Sequence, residues 1–159
     1  KRTKYHRSSW QIGTQSSYLS QFYQRRLWCI NETIKKINPM KKYFIQNNPF
    51  VVPTTDGKLI EEHHGNATTQ NKDISIAHMI APPGWSEPFQ TPEFDEYTYI
   101  ISGKKQFIIE DEIITLETGQ SIKIEKNTRI QYSNPFEQPC EYISVCTPAF
   151  DFTKVHREA

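Results

Sequence analysis

The sequence predicts an all-β fold, built as a sandwich or barrel of short antiparallel strands. Seven or eight runs of β-branched, aromatic and other apolar residues follow one another at a spacing of about ten residues. Turn-forming residues separate most of these runs, as at 82–84 and 118–119. Short strands at such even spacing are typical of sandwiches and barrels. The runs cover residues 51–52, 73–80, 97–101, 106–109, 113–116, 122–124, 130–132 and 142–146.

Length and composition limit the class of protein. The chain has 159 residues, a net charge of +1 and 36% hydrophobic residues, values that fit one ordinary domain with an appendage. No apolar run reaches the roughly 18 residues of a bilayer span, and no secretory signal is recognisable. Three cysteines without paired spacing (Cys29, Cys140 and Cys146) predict reduced thiols rather than a disulfide framework. We therefore expect a cytoplasmic protein without a membrane span.

Basic residues are concentrated at the N-terminal end of the chain. Residues 1–39 contain eight Lys or Arg and one acid, a net charge of +7, whereas residues 40–159 carry a net charge of −6. Pro39 would stop a helix at this boundary. The sequence thus predicts two pieces, a basic extension over 1–39 and a domain over 40–159.

The basic extension contains a helical pattern. Between Leu19 and Ile37 the apolar residues recur at gaps of three and four, which predicts a basic amphipathic helix. Such a helix can lie on an anionic membrane, contact a nucleic acid, act as a targeting leader, or pack on its own domain or on a partner subunit. A further explanation is that Met40 is the true start and residues 1–39 are not native. No groove-reading or base-stacking motif is present, so we expect no nucleic-acid partner.

Two sets of glycines, acids and amides recur at fixed spacing in the second piece. The first set is Gly84, Gln90, Pro92, Glu96 and Gly103, in the spacing G-x5-Q-x-P-x3-E-x6-G. The second set is Gly119, Glu125, Asn127, Ile130 and Asn134, in the spacing G-x5-E-x-N-x2-I-x3-N. Together they resemble the two consecutive motifs of the cupin superfamily, G-x5-H-x-H-x3-E-x6-G and G-x5-P-x-G-x2-H-x3-N.

The cupin resemblance extends from Phe50 to the end of the chain. It implies a double-stranded β-helix, a small jelly-roll barrel with an internal pocket that is usually dimeric. Residues 81–103, together with 129–136 and 141–150, resemble a subgroup of small bacterial cupins and, more distantly, the ethanolamine-utilisation cupins, in which the metal histidines are likewise replaced. We therefore predict an all-β cupin barrel with a basic, helical N-terminal extension, a small-molecule ligand and a homodimeric assembly that survives deletion of residues 1–39.

The metal positions of the motifs are occupied by unusual residues. The three metal-binding histidines of the family correspond to Gln90, Pro92 and Ile130, and only the glutamate, Glu96, is retained. Because Pro and Ile side chains have no donor atom, the ordinary cupin metal centre is not expected. A rebuilt centre stays open, in which His64, His78 or His156 would join Gln90 and Glu96 around a divalent transition metal.

The same motifs indicate candidate ligand-binding residues. By analogy with cupins, Gln90 and Glu96 face the interior, and Tyr132 shares the face of Ile130 by strand alternation. Gln90 and Tyr132 would hydrogen-bond a ligand, and Glu96 or Glu93 would transfer a proton. The alternatives are that Glu96 only pairs with a neighbouring donor and that Glu93 is a solvated loop residue.

Three functions follow from these observations. The first is a small-molecule-binding cupin with a mostly lost metal site. The second is a metal-dependent cupin enzyme, of dioxygenase or isomerase type, that acts on a small polar substrate through the rebuilt centre. The third is a structural barrel whose interior is filled by side chains. Phosphate-binding glycine loops, the G-x-S-x-G elbow and the H-E-x-x-H pair are missing from the sequence, which disfavours the enzyme classes that use them.

Overall fold

The computed structural model describes residues 24–27 and 41–158. The chain divides into two units at the boundary between Phe44 and Ile45, and the strands found among the described residues belong to the second unit. Most of the helix predicted between Leu19 and Ile37 lies outside the described residues, so it stays a prediction; residues 24–27 have helical backbone. The predicted boundary at Pro39 also lies outside them. Within the described residues, no helix has the length and hydropathy needed to span a membrane.

Ten strands and one short 3₁₀ helix are found in residues 45–158. The strands are β1 (Phe50–Val51), β2 (Leu59–His64), β3 (Ser75–Ala81), β4 (Trp85–Ser86), β5 (Asp95–Ser102), β6 (Lys104–Ile109), β7 (Glu112–Glu117), β8 (Ser121–Ile124), β9 (Ile130–Asn134) and β10 (Cys140–Thr147), and the 3₁₀ helix is Phe152–Lys154.

The strands form two antiparallel sheets. One sheet has the order β1-β2-β3-β10-β5-β8 and the other the order β4-β9-β6-β7. The all-β prediction is therefore confirmed, and each of the eight predicted runs overlaps a strand. Two strands, β2 and β4, were not predicted. The sequence of β2 contains Glu61, Glu62, His63 and His64 in a row, so it lacks the alternation of apolar and polar residues that identifies a half-buried strand.

The core lies between the inner faces of the two sheets. Alternate residues of each strand point inward, as Tyr142, Ser144 and Cys146 do on β10, where they are buried between partly exposed neighbours. The largest cluster of buried apolar side chains contains Trp85, Ile100, Phe107, Leu116, Ile124, Ile130, Tyr132 and Tyr142. Aromatic and β-branched residues dominate this cluster, which fits the aromatic-rich composition.

Asn134, the last residue of the second motif, joins three segments of the barrel. Its side chain is fully buried, and Nδ2 lies 2.9–3.1 Å from the carbonyl oxygens of Ala81, Pro82 and Gln138. A shorter or apolar side chain at this position would leave these buried carbonyls without a donor. The motif asparagine therefore has a structural role in this fold.

The C-terminal residues pack back onto the barrel. Gln90 forms β-bridges with both Ile130 and Arg157, and the amide of Thr91 donates to the carbonyl of Val155 (3.1 Å). The amide of Glu158 donates to the carbonyl of Phe89 (2.8 Å). These contacts bring Arg157 to the open end of the space between the sheets.

Candidate functional site

A cavity of about 400 Å³ lies between the two sheets. Residues of β2, β3, β5 and β10 line it from one sheet and residues of β6 and β9 from the other, along with the loop before β2 and the C-terminal segment. Small-molecule pockets usually measure about 300–1,000 Å³. The lining combines apolar side chains, such as Ala77, Met79 and Phe94, with charged ones. The interior is thus not filled by side chains, which was the condition for a purely structural barrel.

Three of the predicted ligand-binding residues line this cavity: Gln90, Glu96 and Tyr132. The Tyr132 hydroxyl donates to Glu96 Oε2 at 2.9 Å, and the Thr98 hydroxyl donates to Glu96 Oε1 at 3.0 Å. Gln90 Oε1 accepts a bond of 3.3 Å from Arg157 Nε. Burial and the charge of Glu96 raise the pKa of Tyr132 well above its usual value, so its hydroxyl remains a donor. Glu96 therefore pairs with neighbouring donors at the cavity wall, and the ligand-binding role of the three residues stays a prediction.

The fourth predicted residue, Glu93, lies away from the cavity. Its exposed carboxylate contacts His156 Nε2 at 2.7 Å on the surface, and neither residue lines the cavity wall. The structure thus brings together Gln90, Glu96 and Tyr132 but not Glu93.

The histidines proposed for a rebuilt metal centre are not gathered around Gln90 and Glu96. On β3, Ala77 and Met79 line the cavity, so His78 between them faces the outer side of the sheet. There its ring nitrogens contact Glu61 (2.9 Å) and Glu141 (2.8 Å). The hydrogen bond that His78 donates to the Glu61 carboxylate is the largest cause that raises the pKa of His78. His156 lies on the surface beside Glu93, and His64 does not line the cavity.

A metal ion does not fit the donors at the motif positions. Pro92 and Ile130 supply no donor atom, Gln90 accepts from Arg157, and Glu96 accepts from Tyr132 and Thr98. In the part of the chain that the structure describes, no group of three or more His, Cys, Asp and Glu side chains has a metal-binding arrangement. First-row metals need several imidazole, thiolate or carboxylate ligands. We therefore derive no chemistry through a metal.

Two buried lysines, Lys58 and Lys105, were not identified from the sequence. Their side chains line the cavity, and the residues are 8% and 1% exposed. Lys105 Nζ lies 3.6 Å from the centre of the Tyr142 ring and 4.7 Å from that of Tyr132, and Lys58 Nζ lies 4.0 Å from that of Trp85. Lys105 could have been found, because strand alternation places it on the same face as the apolar Phe107 and Ile109. Lys58 lies in the loop directly before β2, where strand alternation gives no indication of which way a side chain points.

The two lysine nitrogens have aromatic neighbours but no acceptor. Among the hydrogen bonds and ion pairs of residues 41–158, none involves Lys58 Nζ or Lys105 Nζ. Within the same residues, the hydroxyl of Tyr142 is buried without a hydrogen-bond partner. Buried polar groups in folded proteins are nearly always satisfied by protein, water or ligand. The two lysine nitrogens are therefore available to a bound molecule, and the Tyr142 hydroxyl is an unsatisfied buried group of the same wall.

The carboxylates around the cavity, by contrast, are engaged. Asp56 accepts from the indole of Trp85 at 2.6 Å, and Glu87 pairs with Arg157 at 3.0 Å. Glu62 accepts from the backbone amides of residues 67 and 68 at 2.9 and 2.8 Å. Because Glu96 is engaged as well, the unmatched groups of the cavity are donors rather than acceptors.

The electrostatics of the cavity favour the neutral form of Lys105. Burial, together with the positive charge of Lys58, lowers the pKa of Lys105 to about 7. Burial also lowers the pKa of Lys58, against the opposing effect of Glu87, Glu96 and Asp56. An ordinary lysine with a pKa of about 10.4 is almost entirely charged at neutral pH. At neutral pH Lys105 thus has a large neutral fraction, whereas an ordinary exposed lysine has almost none.

The cysteine in the cavity wall is a buried thiol. Cys146 is free and 5% exposed, and burial raises the pKa of its thiol far above the usual value. A thiol that stays protonated is a weak nucleophile. The prediction of a core thiol is confirmed for Cys146, while Cys29 lies outside the described residues.

Comparison with known proteins agrees with the fold. The sequence profile of the cupin domain family matches residues 77–146. The EutQ protein of Clostridium difficile is 21% identical over 64% of this chain and 73% of its own, with a TM-score of 0.51. A variant oxalate decarboxylase of Bacillus subtilis is 16% identical over 74% of this chain and 34% of its own, with a TM-score of 0.59. At these identities the two structures show the shared fold alone.

One curated relative is similar at the sequence level. An endoribonuclease YbeY of Myxococcus xanthus is 41% identical over 108 residues, which are 68% of this chain. The matched part is 37% of that protein, so this chain spans well under half of its length.

Proposed function

Because this chain belongs to the cupin superfamily, we propose that it is a small-molecule-binding cupin whose ligand occupies the cavity between the two sheets. The proposed ligand is a small organic acid with an apolar part. Its carboxylate would contact Lys58, Lys105 and the Tyr142 hydroxyl, with Gln90, Glu96 and Tyr132 on the adjoining wall.

The unmatched donors of the cavity support this ligand class. Lys58 Nζ and Lys105 Nζ lie 5.9 and 3.6 Å from the Tyr142 ring centre, and both residues line the same cavity, so a ligand in the cavity has a cationic group on more than one wall. A carboxylate supplies acceptors for both nitrogens and the opposite charge that their ammonium forms require. A cationic ligand would instead be repelled by both lysines, and the nearby carboxylates already have donors.

The apolar part of the lining supports a ligand with a hydrocarbon portion. Ala77 and Met79 on β3 contribute one wall, and Phe94 and Phe150 pack on each other with their ring centres 5.6 Å apart. Burial of a ligand's apolar surface contributes roughly 25 cal/mol per Å². Affinity would therefore come from the apolar wall and orientation from the lysines.

The endoribonuclease activity in the name of the Myxococcus relative does not enter the proposal. That activity belongs to a whole protein, of which this chain spans 37%. The cavity of about 400 Å³ also has the size of a small-molecule pocket, whereas single-stranded nucleic acids bind in extended basic grooves.

Thermal unfolding with shape-matched probes tests the proposal. Lactate and benzoate are compared with lactamide and benzamide, which have the same shape without the charge. Since a ligand that binds only the folded state raises the melting temperature, we expect the two acids to raise it and the two amides not to. No shift with either acid, or equal shifts with acids and amides, would overturn the proposal.

A pair of adjacent lysines provides the matched control. Lys105→Met should abolish the shift caused by the acids, because it removes one of the two cavity cations. Lys104→Met should leave it unchanged, because Lys104 points outward and pairs with Glu117 at 2.7 Å. Equal loss in both variants would contradict binding at this cavity.

We also propose that the protein forms a homodimer through the outer face of the six-stranded sheet. On β5, Tyr97, Tyr99 and Ile101 are exposed, and the first two lie beside Val145 and Ile143 of β10. Aromatic side chains such as Tyr are enriched in the buried centres of protein interfaces, and these centres are more apolar than the rest of the surface, which also suits Ile. A two-fold interface needs only one such patch per subunit, because the patch contacts itself.

A further inference from the structure

We propose that Lys105 forms a reversible imine with the carbonyl group of an aldehyde or a 2-oxo acid bound in the cavity. The inference rests on the proposed function, because it assigns a reaction to a ligand held at that site. It goes further by naming the atom that reacts, Lys105 Nζ, and the functional group on the ligand.

The first support is the position of Lys105. The residue is 1% exposed, yet its side chain lines the cavity, so its nitrogen is shielded from bulk water but reachable from the pocket. The nitrogen is held over the rings of Tyr142 and Tyr132, at 3.6 and 4.7 Å, and no carboxylate engages it among the described residues. A salt bridge would keep the amine protonated and block its lone pair, and none is present there.

The second support is the neighbouring cation. Burial is the largest cause that disfavours a second ammonium group at Lys105, and the charge of Lys58 acts in the same direction, against the weaker opposing effect of Glu96 and Glu87. Amines in apolar pockets or beside another cation are the ones that proteins use to attack carbonyl groups. Lys58 would also bind the carboxylate of a 2-oxo acid and place its carbonyl group toward Lys105.

The third support is the set of proton-carrying groups in the same cavity. The buried Tyr142 hydroxyl has no partner among the described residues and can donate to the carbonyl oxygen. Glu96, hydrogen-bonded to Tyr132 at 2.9 Å, lines the same wall and can accept a proton from the nitrogen. General acids and bases accelerate such proton transfers by about two to four orders of magnitude.

The reaction is balanced without any further reagent. The nitrogen lone pair of neutral Lys105 forms the C–N bond, and the π electrons of the carbonyl group move to its oxygen. A proton leaves the nitrogen and another reaches the oxygen, which gives a carbinolamine. Loss of the hydroxyl group as water then gives the imine. One amine and one carbonyl compound yield one imine and one water, with no change of oxidation state.

Reductive trapping tests the inference. The whole protein is incubated with pyruvate or benzaldehyde and sodium cyanoborohydride, and the modified lysine is located by peptide mass mapping. Lactate and benzyl alcohol, which lack the carbonyl group, are the matched negative probes. We expect a stoichiometric adduct at Lys105 near neutral pH, while the exposed Lys104, which pairs with Glu117 at 2.7 Å, is labelled far more slowly.

The pH dependence separates a pocket amine from a surface amine. Labelling of Lys105 should level off above a pH of about 7, whereas labelling of a free lysine amine, N-α-acetyllysine, should rise until a pH of about 10. Lys58→Met should slow the labelling of Lys105 at neutral pH several-fold, because it removes the cation that disfavours protonation. Lys105→Met should remove the fast adduct altogether.

Two outcomes would overturn the inference. One is the absence of a Lys105 adduct under conditions that label Lys104 at high pH. The other is a rate for Lys105 that follows that of Lys104 at every pH. If lactate and benzoate still raise the melting temperature in either case, the proposed function stands and only the imine fails. If they do not, both fail.

Discussion

The ammonium nitrogen of Lys105 lies 3.6 Å from the centre of the Tyr142 ring, inside a β-barrel and away from any carboxylate partner among the described residues. A desolvated cation over an aromatic face gains about 2 kcal/mol. Removal of an ion from water costs several kcal/mol, which the ring does not offset. The charged form of Lys105 therefore destabilises the fold, and this cost motivates the first prediction.

Lys105→Met is expected to stabilise the protein. At a pH of about 6 the free energy of unfolding should rise by roughly 1–4 kcal/mol, because an apolar side chain of similar length replaces a buried cation. The folded pKa of Lys105, about 7, lies below the ordinary lysine value of 10.5, so the unfolded chain binds more protons between these values. The free energy of unfolding of the wild type therefore rises with pH between these two values. The difference in this free energy between Lys105→Met and the wild type should become smaller over the same range.

Urea unfolding of both proteins at pH values of about 6, 7.5 and 9 measures this difference. Lys104→Met is the control, since Lys104 is half exposed and should show no such convergence. A difference between wild type and Lys105→Met that does not vary with pH would contradict the lowered pKa.

Tyr132→Phe should destabilise the protein through Glu96. The change removes the hydroxyl that donates to Glu96 Oε2 at 2.9 Å and leaves a carboxylate with one donor fewer in a buried wall. The expected loss in the free energy of unfolding is about 1–3 kcal/mol. The exposed Tyr97, changed to Phe, is the control and should alter it by less than about 0.5 kcal/mol.

A double-mutant cycle verifies that the loss comes from this hydrogen bond. Tyr132→Phe combined with Glu96→Gln should cost less than the sum of the two single changes, because the two residues share one interaction. Strict additivity would show that the Tyr132 hydroxyl acts on the stability by another route.

Gly103→Ala should be more destabilising than Gly84→Ala. Both glycines have a positive φ, +80° and +72°, so both substitutions incur a backbone cost of about 1–2 kcal/mol. A Cβ at Gly103 would also meet the carbonyl oxygen of Pro139, whereas a Cβ at Gly84 meets nothing within 4 Å. Thermal and urea unfolding of the two variants compare them directly. Equal losses would show that the backbone around Pro139 moves away freely.

Tyr99→Lys should dissociate the proposed homodimer. Tyr99 is 49% exposed on the outer face of the six-stranded sheet, and a charge there would be buried against its own copy in a two-fold interface. Light scattering should show a dimer for the wild type and a monomer for the variant. Ile113→Lys is the control, because Ile113 is exposed on β7 of the other sheet and should leave the dimer intact.

The fold and part of the site could be predicted from the sequence for local reasons. Alternation of apolar residues and the turn residues between runs depend only on neighbours along the chain, and they identified eight of the ten strands. The cupin spacing located Gln90, Glu96 and Tyr132, which the structure places on one cavity wall. The inward position of Lys105 on β6 could also have been predicted from the sequence, because strand alternation places Lys105 on the same face as Phe107 and Ile109.

The sequence alone determined the all-β class, the positions of most strands along the chain and the loss of the usual metal donors at residues 90, 92 and 130, because each follows from which residue stands at a given spacing. Only the tertiary structure decided that Glu93 pairs with His156 on the surface. It also decided that His78 faces outward between Glu61 and Glu141. Lys58 and Lys105, finally, both have their nitrogens within 6 Å of the Tyr142 ring centre only in the folded barrel. Lys58 and Lys105 are 47 positions apart in the sequence. Lys58 directly precedes β2 of the six-stranded sheet, whereas Lys105 lies on β6 of the four-stranded sheet. The effect of one lysine on the other exists only after the two sheets pack and exclude water, since burial strengthens their repulsion and lowers the pKa of Lys105.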